Sequence, residues 1–131
     1  MKLKELQKYL RNSHIEYAVF FNFSNRHKDW AIQYFTGISD IEQCALVVTP
    51  TSALLFVFGF EYTRYQHYAT ADGVKLSVRK ARNLHDEVAD YVGRNSIAHI
   101  ALHYNAISHQ YYNVLRRVLR LHKITDISDI L

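Results

Sequence analysis

The chain has 131 residues, 49% hydrophobic and 21% charged, which suits a single domain able to bury about two thirds of its unfolded surface. No apolar run reaches the ~18 residues of a membrane span, and the basic start MKLKELQKYL is broken by polar residues at helical spacing with no small-residue cleavage site after it, so the protein is expected to be cytoplasmic. A single cysteine, Cys44, excludes an internal disulfide and a multi-cysteine metal site, and a net charge of +4, from 16 Lys and Arg against 12 Asp and Glu, is too small to identify an anionic partner by itself.

From Lys2 to Ser13, Leu3, Leu6 and Leu10 recur at spacings of three and four, which predicts an amphipathic helix with one apolar stripe. Tyr17 to Phe21 reads as a strand, and Asn22 to His27 as a turn-rich connection. Asp29 then begins a short helix carrying Trp30, Tyr34 and Phe35 that ends at Gly37, a natural left-handed cap. Two apolar runs follow, Cys44 to Val48 and Ala53 to Phe58, joined by Thr49-Pro50-Thr51-Ser52 around the only proline. So short a connection makes them an antiparallel hairpin. Neither run alternates with polar residues, so both faces must be covered by helices, and the hairpin becomes the centre of a layered sheet.

Glu61 to Ala69 predicts a helix with Tyr62, Tyr65 and Tyr68 or Ala69 on one face and Arg64 and His67 turned away. Asp72-Gly73 reads as a turn, and Val74, Leu76 and Val78 alternate with Lys75, Ser77 and Arg79 as in a strand near an edge. Asn83 caps a helix ending at Gly93 with Leu84, Val88 and Tyr91 or Val92 inward. In the strand Ile97 to His103, Ala98, Ile100 and Leu102 face one way, and Ile97, His99, Ala101 and His103 the other. Ser108 caps a helix from about His109 to Leu121, with Tyr111, Val114 or Leu115, Val118 and Leu121 inward and Asn113, Arg116, Arg117 and Arg120 outward. A short strand around Ile124 precedes Ser128, which reads as the cap of a helix that barely starts. The resulting order is α β α β β α β α β α β, a three-layer α/β domain with a mixed sheet of about six strands and helices on both faces.

Catalytic machinery is hard to place on this pattern. His99 and His103 share a strand face but lie about 13 Å apart at strand rise, too far to hold one ion. Acidic residues fall in caps, turns and helix faces, and neither G-x-G-x-x-G, G-x-x-x-x-G-K nor G-x-S-x-G occurs. No metal, cofactor or catalytic residue is assigned to the chain. Two surface features remain as candidates. Phe60, Tyr62, Arg64 and Tyr65, in the aromatic and basic stretch up to Tyr68, suit contact with a peptide or a partner subunit. Arg116, Arg117 and Arg120 with His122 and Lys123 form a basic face able to meet phosphates.

Several pieces resemble the N-terminal domain of the creatinase and prolidase family, the Xaa-Pro peptidases with a pita-bread catalytic domain. LKELQKYLRNSHIEYAVFF resembles the family's opening helix and first strand, and Tyr34-Phe35-Thr36-Gly37 its Y-L-T-G-F. ALVVTPTSALLFVFG stands at the place of its hairpin, and VRKARNLHDEVADYV resembles its next strand and helix. The resemblance covers nearly the whole chain. It implies a ribonuclease H-like sheet, a homodimer, and a role in closing the active-site entrance of a metallopeptidase whose peptide substrate and two divalent metal ions belong to a C-terminal catalytic domain outside this chain. There two Asp, one His and two Glu would hold the metals. Where the family often has D-x-R-Y after the hairpin, Phe58 stands near the Asp place and Phe60 or Glu61 near the Arg place, with only Tyr62 kept. Two other readings stand beside this one: a stand-alone peptide- or protein-binding module acting through Phe60 to Tyr68, and a weak nucleic-acid binder. The last is disfavoured because Tyr17 to Phe21 lacks the aspartate that a nuclease of this sheet type would use.

Overall fold

The computed structural model describes residues 1–67, 70–71, 73–93, 97–120 and 122–131. Seven strands and five helices follow in the order α1 (Leu3–Asn12), β1 (Tyr17–Asn22), α2 (Trp30–Thr36), β2 (Cys44–Val48), β3 (Ala53–Phe58), α3 (Gly59–Tyr65), β4 (Thr70–Ala71), β5 (Val74–Ala81), α4 (Leu84–Gly93), β6 (His99–Leu102), α5 (His109–Val118) and β7 (Lys123–Asp126), with single 3-10 turns at Tyr104–Ala106 and Ser128–Ile130. The expected order holds with one addition, the two-residue β4, which has no apolar pattern of its own to reveal it. Tyr68, Ala69, Asp72 and Leu121, named above as inward or turn residues, lie outside the described residues.

The sheet is ordered β4-β5-β3-β2-β1-β6-β7, which puts the hairpin at its middle. β2 pairs antiparallel with both β1 and β3, while β3–β5, β1–β6 and β6–β7 are parallel. Strand alternation then deals the side chains to two cores. Phe20, Leu46, Leu55 and Ala101 face α1, α2 and α3, where Leu3, Leu6, Leu10, Ile32, Phe35 and Tyr65 cover them. Val19, Val47, Phe56, Ile100 and Leu102 face α4 and α5, where Leu84, Val88, Val92, Leu115 and Leu119 close the other side. Each buried side chain of this size stabilises by about 1.5–3 kcal/mol.

Local chemistry explains the element ends. The Asp29 carboxylate accepts from Ala31 N–H, and Gly37 closes α2 at φ 76°, a conformation that other residues rarely adopt. After α1 the same left-handed position falls on His14, at φ 56°. There Ile15 N–H reaches Leu10 O and His14 N–H reaches Arg11 O, a Schellman-type end built on a residue where glycine is usual. In the hairpin turn the Thr49 hydroxyl accepts from Ser52 N–H at 2.9 Å and from Thr51 N–H at 3.2 Å. The carbonyls of the turn also accept from α1: the Gln7 amide donates to Thr49 O and to Ser52 O, which Thr49 N–H reaches as well, and Arg11 donates to Pro50 O at 2.7 Å. The first helix therefore straps the central turn.

Three boundaries differ from the sequence reading. α3 starts at Gly59 directly on leaving β3 and ends at Tyr65, so Phe60 sits in its first turn. Leu119 joins the core as the residue that caps α5, because the helix stops at Val118 and the chain turns back toward β7. Ser128 is not the cap of the last turn but its first residue, with Ile127 at the cap position; the Asp126 carboxylate before it accepts from Ser128 N–H and from the Ser128 hydroxyl.

Leu46→Ala, at a fully buried site in the middle strand, should cost about 3 kcal/mol. Gln7→Leu, which strips the turn carbonyls of their amide donor, should cost about 1–2 kcal/mol, both read from urea denaturation.

Candidate functional site

β1, β3, β5, β6 and β7 all run the same way, so their carboxyl ends share one edge of the sheet, the edge at which open α/β sheets place their ligands. On that edge the structure builds a buried polar chain. The Asn22 amide donates to Ile41 O at 3.1 Å, and its carbonyl accepts from Asp29 N–H at 2.8 Å. The Asp29 carboxylate meets His103 Nδ1 at 2.8 Å, with both residues only 2% exposed. Phe20 and Trp30 flank the imidazole edge-on, with centroids 6.3 Å and 5.3 Å away. Burial raises the Asp29 carboxyl above its ordinary value, against the opposing pull of the Ala31 N–H and of His103. Taking a carboxylate out of water is costly, and the imidazole and the Ala31 N–H that meet this one offset part of that cost.

This arrangement orients α2 against β6. The Asp29 oxygen that meets His103 also accepts from Ala31 N–H. Cys44 is buried with its thiol pushed up to about 12 by loss of solvent, so it stays protonated and inert. Among the described residues no group of three or more His, Cys, Asp or Glu is placed to hold a metal ion. One buried carboxylate and one imidazole do not fit a two-metal centre.

The four contact candidates on α3 separate into different roles. Tyr65 is buried and its hydroxyl donates to Asp40, while Arg64 pairs with the other oxygen of the same carboxylate. The Tyr65 hydrogen bond, with Arg64 beside it, holds the Asp40 carboxyl below its usual value. Both side chains thereby pin α3 to the loop after α2. Tyr62 is half-buried against the core, with the Lys80 ammonium 5.2 Å from its ring centroid. Phe60 is the one aromatic candidate presented outright, at 80% exposure, with the exposed Arg64 on the same helix. The second exposed aromatic group is Trp30 at 53% and Tyr34 at 54%, on the outer side of α2, where the Tyr34 hydroxyl accepts from the amino terminus of Met1. Arg116 and Arg117 are exposed on α5 and Arg120 is exposed just past its end.

With the geometry in place, the sequence model of the Creatinase/Prolidase N-terminal domain matches residues 2–131. The chain belongs to the creatinase/prolidase N-terminal domain family. A comparison by sequence with curated proteins finds no match. Solved structures share the fold of this creatinase/prolidase N-terminal domain at low identity. An X-Pro aminopeptidase from Thermotoga maritima superposes with TM-score 0.80 at 16% identity over 99% of this chain and 35% of its own. The Creatinase/Prolidase N-terminal domain of an X-Pro dipeptidase from Streptococcus pyogenes gives 0.71 at 18%, covering 98% of this chain and 94% of that one. The N-terminal domain of the cytoplasmic peptidase PepQ from Mycobacterium tuberculosis gives 0.70 at 15%, covering 96% and 92%. The chain thus spans about a third of the Thermotoga enzyme and nearly all of the separate N-terminal domains. Among the described residues no helix is long and apolar enough to cross a membrane.

The Asp29–His103 pair escaped the sequence reading because its members stand 74 residues apart. The two signals available were Asp29 at a helix start and His103 at the end of a largely apolar strand. Asp29→Ala and His103→Ala should each destabilise by about 2–4 kcal/mol, and the double variant by clearly less than their sum, a coupling of about 1–3 kcal/mol in urea denaturation.

A pH dependence follows from His85, half-buried against Phe21 and Phe23, whose imidazole burial holds below its ordinary value of 6.5. A base with a depressed folded-state value contributes full stability above its unfolded value and loses it as pH falls through the folded one. Stability should therefore decline as pH drops below 6.5, and His85→Phe should flatten that decline in thermal melts taken across the range.

Proposed function

We propose that this chain is the non-catalytic N-terminal domain of a metal-dependent Xaa-Pro dipeptidase or aminopeptidase, serving dimerisation and the shaping of the active-site entrance. The observation that carries the reading is the family match over residues 2–131, taken with the third of an X-Pro aminopeptidase that the chain spans. The two Asp, one His and two Glu that the family uses would belong to a catalytic domain following this one, and the parent's substrate would be a peptide with proline after its first residue.

Phe60 supports the contact role. An aromatic side chain this exposed at the first turn of a helix gains little in a monomer and much in an interface, where aromatic anchors dominate. Tyr62 and Arg64 flank it, while Tyr65 acts from within by fixing the helix. The same surface fits a stand-alone peptide-binding module, and the coding sequence separates the two. Its continuation past Leu131 into a region bearing the five metal ligands is expected; a stop there, with no catalytic region encoded nearby, overturns the peptidase reading.

For the contact role, sedimentation equilibrium of the gene product should give a dimer that Phe60→Ser weakens at least about tenfold without lowering the melting temperature. A monomer at every concentration, or a dimer indifferent to Phe60, removes the assignment of this surface.

A further inference from the structure

The sheet ends at β7, which has β6 as its one strand neighbour. Lys123 N–H donates to Ala98 O and Ile127 N–H to Leu102 O, both at 3.0 Å. With the two-residue period of a strand, the main-chain groups of Ile124 and Asp126 then point the opposite way, to an edge that no strand among the described residues covers. Such an edge presents alternating donors and acceptors.

Beside it, Arg116, Arg117, Arg120 and His122 with Tyr104, Tyr112 and Ile124 line a concavity of about 670 Å³. None of these arginines is in an ion pair among the described residues, where the two pairs are Arg64–Asp40 and Asp29–His103, and the His122 Nδ1 accepts from Ala98 N–H. The strand's own carboxylate, Asp126, is taken by Tyr104 N–H and by Ser128. Ile124 packs on the α4–α5 core and offers an apolar floor.

We propose that the β7 edge and the arginine face of α5 form one docking site for an acidic peptide segment, which adds to the sheet as an eighth strand. The peptide main chain would meet the free N–H and C=O groups of Ile124 and Asp126. Its carboxylates on one face would pair with the arginines, and an apolar side chain between them would lie on Ile124. Charge excludes a second copy of this chain edge to edge, since the two arginine faces would repel. A nucleic acid would satisfy the arginines but offers only acceptors along its phosphates, leaving the carbonyls of the strand edge without donors. The site is independent of the peptidase reading and lies on the opposite end of the sheet from β4 and β5.

The test uses a fluorescein-labelled peptide alternating Glu and Val, its Lys-Val counterpart, the Glu-Val peptide N-methylated at alternate residues, and a single-stranded oligonucleotide of equal charge, all followed by fluorescence anisotropy. The Glu-Val peptide should bind, more weakly as salt rises. Arg116→Glu with Arg120→Glu should weaken it at least about tenfold at unchanged melting temperature, and N-methylation should do the same with the protein unaltered. Binding that ignores N-methylation, a peptide that fails to bind, or an oligonucleotide that binds where the peptide does not each overturns the proposal.

Discussion

Both faces of β2 and β3 are apolar, and every other element is arranged to cover them. Ten of the eleven strand residues are buried, and Phe58 at the end of β3 is the one left partly exposed, so the strands offer almost no side chain to solvent or ligand. Three helices take one face and two the other, and β1 and β5 flank the pair. Even the turn that joins the strands is tied down, since Gln7 and Arg11 of α1 occupy its carbonyls. A constraint of this kind moves all chemistry to the periphery: the carboxyl edge, the outer sides of the helices and the two ends of the sheet.

The layers were legible because periodicity reports burial directly. Leu3, Leu6 and Leu10 mark one helical stripe, Val74 and Leu76 mark a half-wet strand, and the unbroken run from Ala53 marks one covered on both sides. Caps at Asp29, Asn83 and Ser108 were equally readable, each being a local contact within three residues. The left-handed end of α1 was missed because it falls on His14, whose identity does not announce that backbone.

The contact surface was only half legible. Spacing placed Tyr62 and Tyr65 on one helical face, but whether an aromatic side chain on such a face is roof or anchor depends on what lies beneath. Asp40 decides it for Tyr65 and Arg64, and Asp40 is 25 residues from the tyrosine, in a loop with no pattern to link them. The Asp29–His103 pair is hidden for the same reason. Phe60 belonged to a different category: the helix begins two residues earlier than its composition indicated, and that early start is what turns the ring outward.

This domain of the creatinase/prolidase N-terminal family is a covered hairpin with its exposed aromatic and basic groups at the margins. The most direct check is hydrolysis of an Xaa-Pro dipeptide, in the presence of a divalent cation, by this chain alone and by the longest product of its gene. The account predicts turnover by the longer product and none by residues 1–131. Turnover by the chain alone, or none by either, would contradict it.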